Sequence, residues 1–239
     1  TDRAGAEAAV AAYRELLLRL AAEGLADRVE VSVKLSALGQ SLTDGDALAL
    51  DGVRAICGAA AEAGTTVTVD MEDHTTTDAT LATVVALRAD FPWVGAVLQS
   101  QLRRTEADCR DLAGPGSRVR LCKGAYEEPE SVAFTARADV DRSYVRCMKI
   151  LFAGAGLPLV GTHDPRLVAI AQHLGRYRPY ELQMLYGVRP DAQAELAAAG
   201  ERMRVYVPYG TQWYGYFMRR LAERPANVAF FLRALATRG

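Results

Sequence analysis

Lys34 ends the alternating run VEVSVKLSAL, Asp70 closes TTVTVD, and Arg120 opens RLCKGAY. Each of these residue types can do chemistry at the end of a strand. A lysine there pairs with a carboxylate, holds a substrate anion or forms a Schiff base. An aspartate serves as a base, an ion-pair partner or a metal ligand. Metal binding is disfavoured, because Asp70, Glu72, Asp73 and His74 are nearly consecutive and alternate side chains of a strand point apart. Glu72 and Asp73 read instead as the start of a solvated loop. In the apolar context of Arg120 an unpaired guanidinium is costly. It needs an anion or a strong acceptor, and a structural pairing with Asp70 is compatible with a functional role. Gly124 and Ala125 leave room for a planar ligand to approach the backbone.

Two further segments carry polar groups in suggestive places. GTHD, residues 161–164, precedes a helix opened by Pro165. Thr162 and His163 there read either as ligands at a helix N-terminus, a good phosphate site, or as capping and core residues. In WYGYFMRRLAERP, Tyr216, Arg219, Arg220 and Glu223 share one helical face, and Trp213, Phe217 and Leu221 make a separate apolar stripe. Adjacent arginines beside a tyrosine suit a carboxylate, which guanidinium forks bind bidentately. The alternative is a solvated Arg/Glu face.

The elements that must position these groups alternate in type. Strands are expected at Val29–Leu35, Thr66–Asp70, Val94–Gln99, Arg118–Cys122, Leu157–Gly161, Glu181–Leu185 and Met203–Val207. Helices are expected at Ala4–Leu25, Asp46–Ala63, Thr77–Asp90, Asp139–Gly154, Pro165–Leu174 and Asp191–Ala199, with Asp46 and Asp78 opening and Gly64 and Gly200 closing helices. Most strand runs are too apolar for a wet face, as in a parallel sheet covered by helices. Such alternation means a doubly wound sheet or a closed barrel. No GxGxxG follows a strand, which removes the commonest doubly wound fingerprint. Polar residues gather at nearly every strand's C-terminal end: Lys34, Asp70, Gln99, Arg120 with Lys123, Thr162 with His163, Gln183 and Tyr206. A (β/α)₈ TIM-type barrel builds its site there. Seven strands are found where eight are needed in a single barrel domain spanning 1–239, so either the first strand lies upstream of Thr1 or one strand is unrecognised in the sequence.

Bulk properties narrow the function classes. The net charge of −1 over 239 residues gives no field for nucleic acid. No apolar run reaches transmembrane length and no signal-peptide pattern opens the chain. Cys57, Cys109, Cys122 and Cys147 are scattered without a CxxC, as for buried thiols in a reducing, cytoplasmic setting.

VSVKLSAL, VDMED, RLCKGAY, GTHD, ELQMLYG and YVPYGTQWYGYFMRRLAERPAN together resemble the motifs of the proline dehydrogenase family, in that family's order, across residues 29 to 230. The resemblance also extends to the flavin domain of bifunctional proline utilisation proteins. It implies a distorted barrel with FAD over the strand ends and the last helix packed on the active site. It implies oxidation of L-proline to Δ1-pyrroline-5-carboxylate, with electrons passed to a quinone that would bring a cytoplasmic protein to the inner-membrane surface. Arg219, Arg220 and Lys34 would hold the proline carboxylate, and Tyr206, Tyr216 and Leu185 would shape the ring pocket. Arg120 would sit near flavin N5 as a catalytic group, and Asp70 would organise the site. Met71, Gln99, Lys123, Gly124, Ala125, Thr162, His163 and Gln183 would join Arg120 in binding FAD. Two other readings stay open on the residues alone: a Schiff-base aldolase using Lys34 or Lys123, and a non-catalytic barrel that binds an amino acid.

Overall fold

The computed structural model describes residues 2–210 and Met218. Seven parallel strands, each hydrogen-bonded to the next in sequence order, make one sheet. They are β1 Val31–Val33, β2 Val67–Val69, β3 Gly95–Gln99, β4 Arg118–Cys122, β5 Leu157–Gly161, β6 Glu181–Leu185 and β7 Met203–Tyr206. Helices α1 Arg3–Ala22, α2 Gly45–Ala63, α3 Thr77–Asp90, α4 Thr105–Leu112, α5 Arg137–Ala153, α6 Pro165–Leu174 and α7 Pro190–Ala198 alternate with them from α1 onward. The sheet is curled: Arg204 of β7 donates to the Arg28 carbonyl before β1 at 3.2 Å, and the Tyr206 hydroxyl reaches Asp70 after β2. This is the distorted TIM-type barrel architecture, with β1 and β7 as sheet edges among the described residues.

Alternation along each strand divides the two faces. Val31, Val33, Val67, Val69, Ala96, Leu98, Val119, Leu121, Val160, Leu182 and Met184 belong to the hydrophobic core with helix residues such as Ile56, Leu87 and Met148. The residues between them face inward. Ser32, Arg118, Arg120, Glu181, Gln183, Arg204 and Tyr206 form hydrogen bonds with one another and with Glu30 and Asp70, across the barrel. The strands of the sheet's middle thus have no wet face, as expected, yet their inner face is not apolar. The inner face is ionic, and helices cover only the outer one.

Local chemistry explains most element boundaries. Asp2 caps α1 by accepting from the Gly5 amide, and Asp164 caps α6 by accepting from Arg166 ahead of Pro165 at the first turn. Gly64 ends α2 in the left-handed conformation. Asp46 and Asp78 do not cap: they sit within the first turns of α2 and α3, behind Asp44 and Thr76. There a carboxylate still complements the helix dipole. Helix α4 was not expected. Its buried face is Thr105, Asp108, Cys109 and Leu112, which is half polar and leaves no apolar stripe to read. Arg104 makes this burial possible by bonding both Asp108 carboxylate oxygens, at 2.9 and 3.0 Å.

Candidate active site

The barrel's centre is a buried carboxylate. Asp70, the residue after β2, accepts from Ser32 Oγ at 2.8 Å and Arg120 Nη1 at 2.7 Å on one oxygen. Its other oxygen meets the Tyr206 hydroxyl at 3.2 Å and Lys34 Nζ at 3.3 Å. Residues from four strands or strand ends thus converge on one group. Burial alone would raise the pKa of Asp70, but Arg120, Lys34 and the Ser32 hydroxyl outweigh it and hold the carboxyl below its ordinary range. Burial disfavours the charged form of Arg120 too, and Asp70 again reverses the balance. Arg120 also stacks beside the Tyr206 ring, 5.6 Å from its centroid.

Arg120 and Gln183 are not at strand ends. Each sits at the middle of its strand, one inward-facing position below Cys122 and Leu185. The expected mouth residues therefore occupy two levels. Arg120, Gln183 and Asp70 are nearly inaccessible, whereas Lys34 and Tyr206 are partly exposed. Beneath them lies a floor that sequence reading missed. Arg118 pairs with Glu30, and Arg204 holds both oxygens of Glu181 at 2.7 and 3.0 Å. The signal was available: from Arg120 or Gln183, two residues back along the strand comes another charge.

Lys34 is poorly suited to Schiff-base chemistry. Burial would lower its pKa, but Asp70, Tyr126 and Glu72 more than compensate and raise it, keeping the amine protonated. Lys123 is likewise committed, to Asp141 at 2.5 Å and Asp164 at 3.3 Å. A Schiff-base lysine needs a depressed pKa, so the aldolase reading loses its physical basis.

The remaining expected residues rim the same end. Gln99 Nε2 donates to the Glu72 carbonyl at 2.5 Å, while its buried Oε1 has no partner within the described residues. Gly124 has φ +107°, and a Cβ there would run into the Gln101 side chain; only glycine suits that conformation. Ala125 is exposed beside it. Thr162 Oγ1 accepts from the Asp164 amide at 3.2 Å. His163 Nε2 accepts from the Leu185 amide at 2.9 Å, which fixes the orientation of the imidazole and ties the β5 and β6 ends together. The Met71 side chain is buried in the hydrophobic core. Gln183 has both amide ends engaged inside the barrel, by Arg120 and by Glu181. Glu72 and Asp73 are more than a solvated loop: Glu72 accepts from Ser36 N and Oγ, and Asp73 caps the short turn His74–Thr76. Tyr216, Arg219 and Arg220 lie outside the described residues.

Comparison with known proteins agrees with this geometry. The family model described as "Proline dehydrogenase" matches residues 1–233. Proline dehydrogenase 1 of Bacillus subtilis is 41% identical over 211 residues, covering 86% of this chain and 69% of the relative. The proline dehydrogenase of Deinococcus radiodurans is 42% identical over 214 residues, with the same coverage of both. Among solved structures, a variant of Bradyrhizobium japonicum proline utilization A superposes with a TM-score of 0.82 at 25% identity. That match covers 95% of this chain but spans only 27% of the longer protein. The chain belongs to the proline dehydrogenase family.

Proposed function

We propose that this chain oxidises L-proline to Δ1-pyrroline-5-carboxylate, the first step of proline catabolism, with FAD as its cofactor and a quinone as the final electron acceptor. The observation that carries this reading is the convergence of Lys34, Asp70, Arg120 and Tyr206 at the barrel mouth of a proline dehydrogenase family member. The residues present suit FAD. The orphaned Oε1 of Gln99 awaits a donor. Lys123, held by Asp141 and Asp164 on the rim, is assigned to the cofactor with its neighbour Gly124. FAD, when bound, supplies the two-electron acceptor for the substrate's C–H bond.

The protein's part is charge and position. Lys34, with Arg219 and Arg220 from the C-terminal segment, holds the substrate carboxylate, and Leu185, Tyr206 and Tyr216 border the ring. Fixing both ends of a small rigid substrate selects a near-attack geometry without further ordering cost. Arg120, pinned beneath the mouth, keeps a fixed positive charge where negative charge develops on reduction. Asp70 orients Arg120, Lys34 and Tyr206 at once. Met71, Thr162, His163 and Ala125 are assigned to the cofactor side, Met71 through its backbone.

An absorbance spectrum of the purified chain, before and after L-proline, tests the proposal. The expected result is a flavin spectrum that bleaches on addition of proline and recovers when a soluble quinone is added. A colourless protein that neither takes up FAD nor oxidises proline overturns it. Covalent trapping of a carbonyl substrate by borohydride would instead favour the lysine chemistry.

A further inference from the structure

Gln183 is held in one orientation by its neighbours. On one side the Nε–H of Arg120 donates to its Oε1 at 2.5 Å. On the other side its Nε2 donates to Glu181 Oε1 at 2.6 Å. Arginine only donates and an ionised glutamate only accepts, so the amide cannot flip without losing both bonds. The same Glu181 oxygen accepts Arg204 Nε at 2.7 Å, and the other accepts Arg204 Nη2 at 3.0 Å. Glu181 is thereby clamped from β7 while it orients a residue two positions along β6. Gln183 and Glu181 are both nearly inaccessible, so water does not compete for these bonds.

We propose that Glu181 and Gln183 are positioning residues for Arg120, forming a relay anchored by Arg204. Asp70 and Ser32 hold only Nη1 of Arg120, and Glu30 approaches Nη2 at 3.5 Å. A guanidinium held chiefly at one nitrogen can still swing about that point. The bond from Nε to Gln183 lies at the opposite end of the group and removes that swing. Arg120 then points at one place, and the charge it offers the reacting centre is preorganised. This role replaces direct cofactor contact for Gln183, since neither end of its amide is left to turn toward a ligand. It rests on the proposed proline oxidation for its kinetic consequence, but not for its structural one.

The test uses the full chain loaded with FAD and the variant Gln183→Leu, with two readings. In heteronuclear NMR the Arg120 Nε–H of the wild type should give a resonance protected from solvent exchange, assigned by its loss in Arg120→Lys. That protection should disappear in Gln183→Leu. The rate of flavin reduction at saturating proline should fall roughly ten- to a hundredfold, as for a misplaced reacting group. The KM for proline should change by less than about threefold, because substrate binding is not what is lost. Unchanged protection and rate would overturn the relay. A loss of FAD affinity as large as the loss of rate would also overturn it, by making Gln183 a cofactor contact. Should Gln183→Leu fail to fold, Glu181→Gln carries the same two readings, with smaller effects in the same direction expected and wild-type values overturning the proposal. If proline fails to reduce the wild-type flavin, the functional reading falls, while the NMR protection still decides whether Gln183 fixes Arg120.

Discussion

Two ion-pair clusters in this chain are each balanced in charge but differ in their physics. Inside the barrel, Glu30, Asp70 and Glu181 face Arg118, Arg120 and Arg204, three charges against three. On the rim, Asp141 and Asp164 face Lys123 and Arg166, two against two. The interior carboxylates are almost sealed from water; on the rim Asp164 is nearly as buried, but Asp141 and Lys123 are partly exposed and the Arg166 side chain is 69% exposed. A sealed charge depends on its partners because nothing else can solvate it, and losing one partner strands the other. A rim charge can turn to water. The interior six also sum to zero, and Lys34 adds a partly exposed positive charge at the mouth, with Asp70 and Glu72 as its nearest carboxylates. The contrast implies that the interior pairs weigh more on the fold than the rim pairs, of which Asp164 still caps α6.

The largest effect should come from breaking the interior. Asp70→Ala leaves Arg120 buried without its main counter-charge, and the expected cost is about 3–5 kcal/mol of unfolding free energy. Urea denaturation measures it, and the loss should persist in high salt because the pair is sheltered from screening. A loss that vanishes with salt would place Asp70 with the rim groups.

Acid should act on the interior next, and on Asp164 of the rim in the same direction, since Arg166 and Lys123 hold that carboxyl below its ordinary range. Burial would raise Asp70 and Glu30, but Arg120 and Lys34 hold Asp70 down, and Arg118, Arg120 and Arg204 hold Glu30 down. A carboxylate with a folded pKa below its unfolded value of about 4 contributes stability that is fully present above that value. The contribution is lost as pH falls through the folded pKa. Thermal midpoints should therefore stay level from neutrality down to about pH 5 and drop steeply below about pH 4. In Asp70→Asn the drop should be shallower, because one of the protons taken up on unfolding is no longer available.

The partly exposed charge at the mouth gives the next prediction. Lys34→Met should weaken proline binding, and so should Arg219→Met or Arg220→Met, each by roughly 1.5–3 kcal/mol for a lost charge-assisted bond. FAD affinity should change far less, as read by titration of the apoprotein with flavin. Equal losses of flavin and proline would show these cations to be structural and return the mouth to the interior's class.

Legibility in the sequence followed the same division. Strands β4, β5 and β6 were readable to the residue, because each alternates core-facing Val, Leu or Met with a second inward set and is bounded by turn residues. Strands β1 and β2 are shorter than expected, with three residues of each in the ladder, although the Asp70 amide still donates to the Val33 carbonyl at 2.8 Å. The Lys34, Asp70, Arg120 and Tyr206 constellation was found from strand-end position and family motifs together. The floor of Glu30, Arg118, Glu181 and Arg204 was not found, because attention to strand ends hides charges two residues earlier. Their partners come from strands up to 88 residues away in sequence, as Glu30 and Arg118 do, and no local pattern announces such a pairing. Helix α4 was missed for a related reason: its buried face relies on Asp108 being neutralised by Arg104, which apolar periodicity does not register.

The smallest effect on stability should come from the rim, and it sharpens the comparison most. Lys123 bridges Asp141 at the start of α5 and Asp164 at the N-cap of α6, and Arg166 approaches both carboxylates from the solvent side. Lys123→Met removes the inner cation but leaves Arg166 able to neutralise the pair. Asp164 also keeps its hydrogen bond from the Arg166 amide at 3.0 Å, so the α6 cap survives. The methionine chain is close in length to the lysine stem and can occupy its place against the rim. The expected loss of unfolding free energy is therefore under about 1 kcal/mol, as for partly exposed pairs. It should shrink further as salt rises, because mobile ions then do part of what Lys123 did. FAD affinity should respond in the opposite proportion. If Lys123 faces the cofactor's phosphates, its removal takes away attraction and leaves a net negative charge beside them, with one cation, Arg166, against two carboxylates. Flavin titrations at low and high ionic strength should then show a weakening larger than the loss of stability, and greatest at low salt. A variant that unfolds as readily as Asp70→Ala, with unchanged flavin affinity, would show that the rim belongs to the scaffold and that the distinction between the two clusters is wrong.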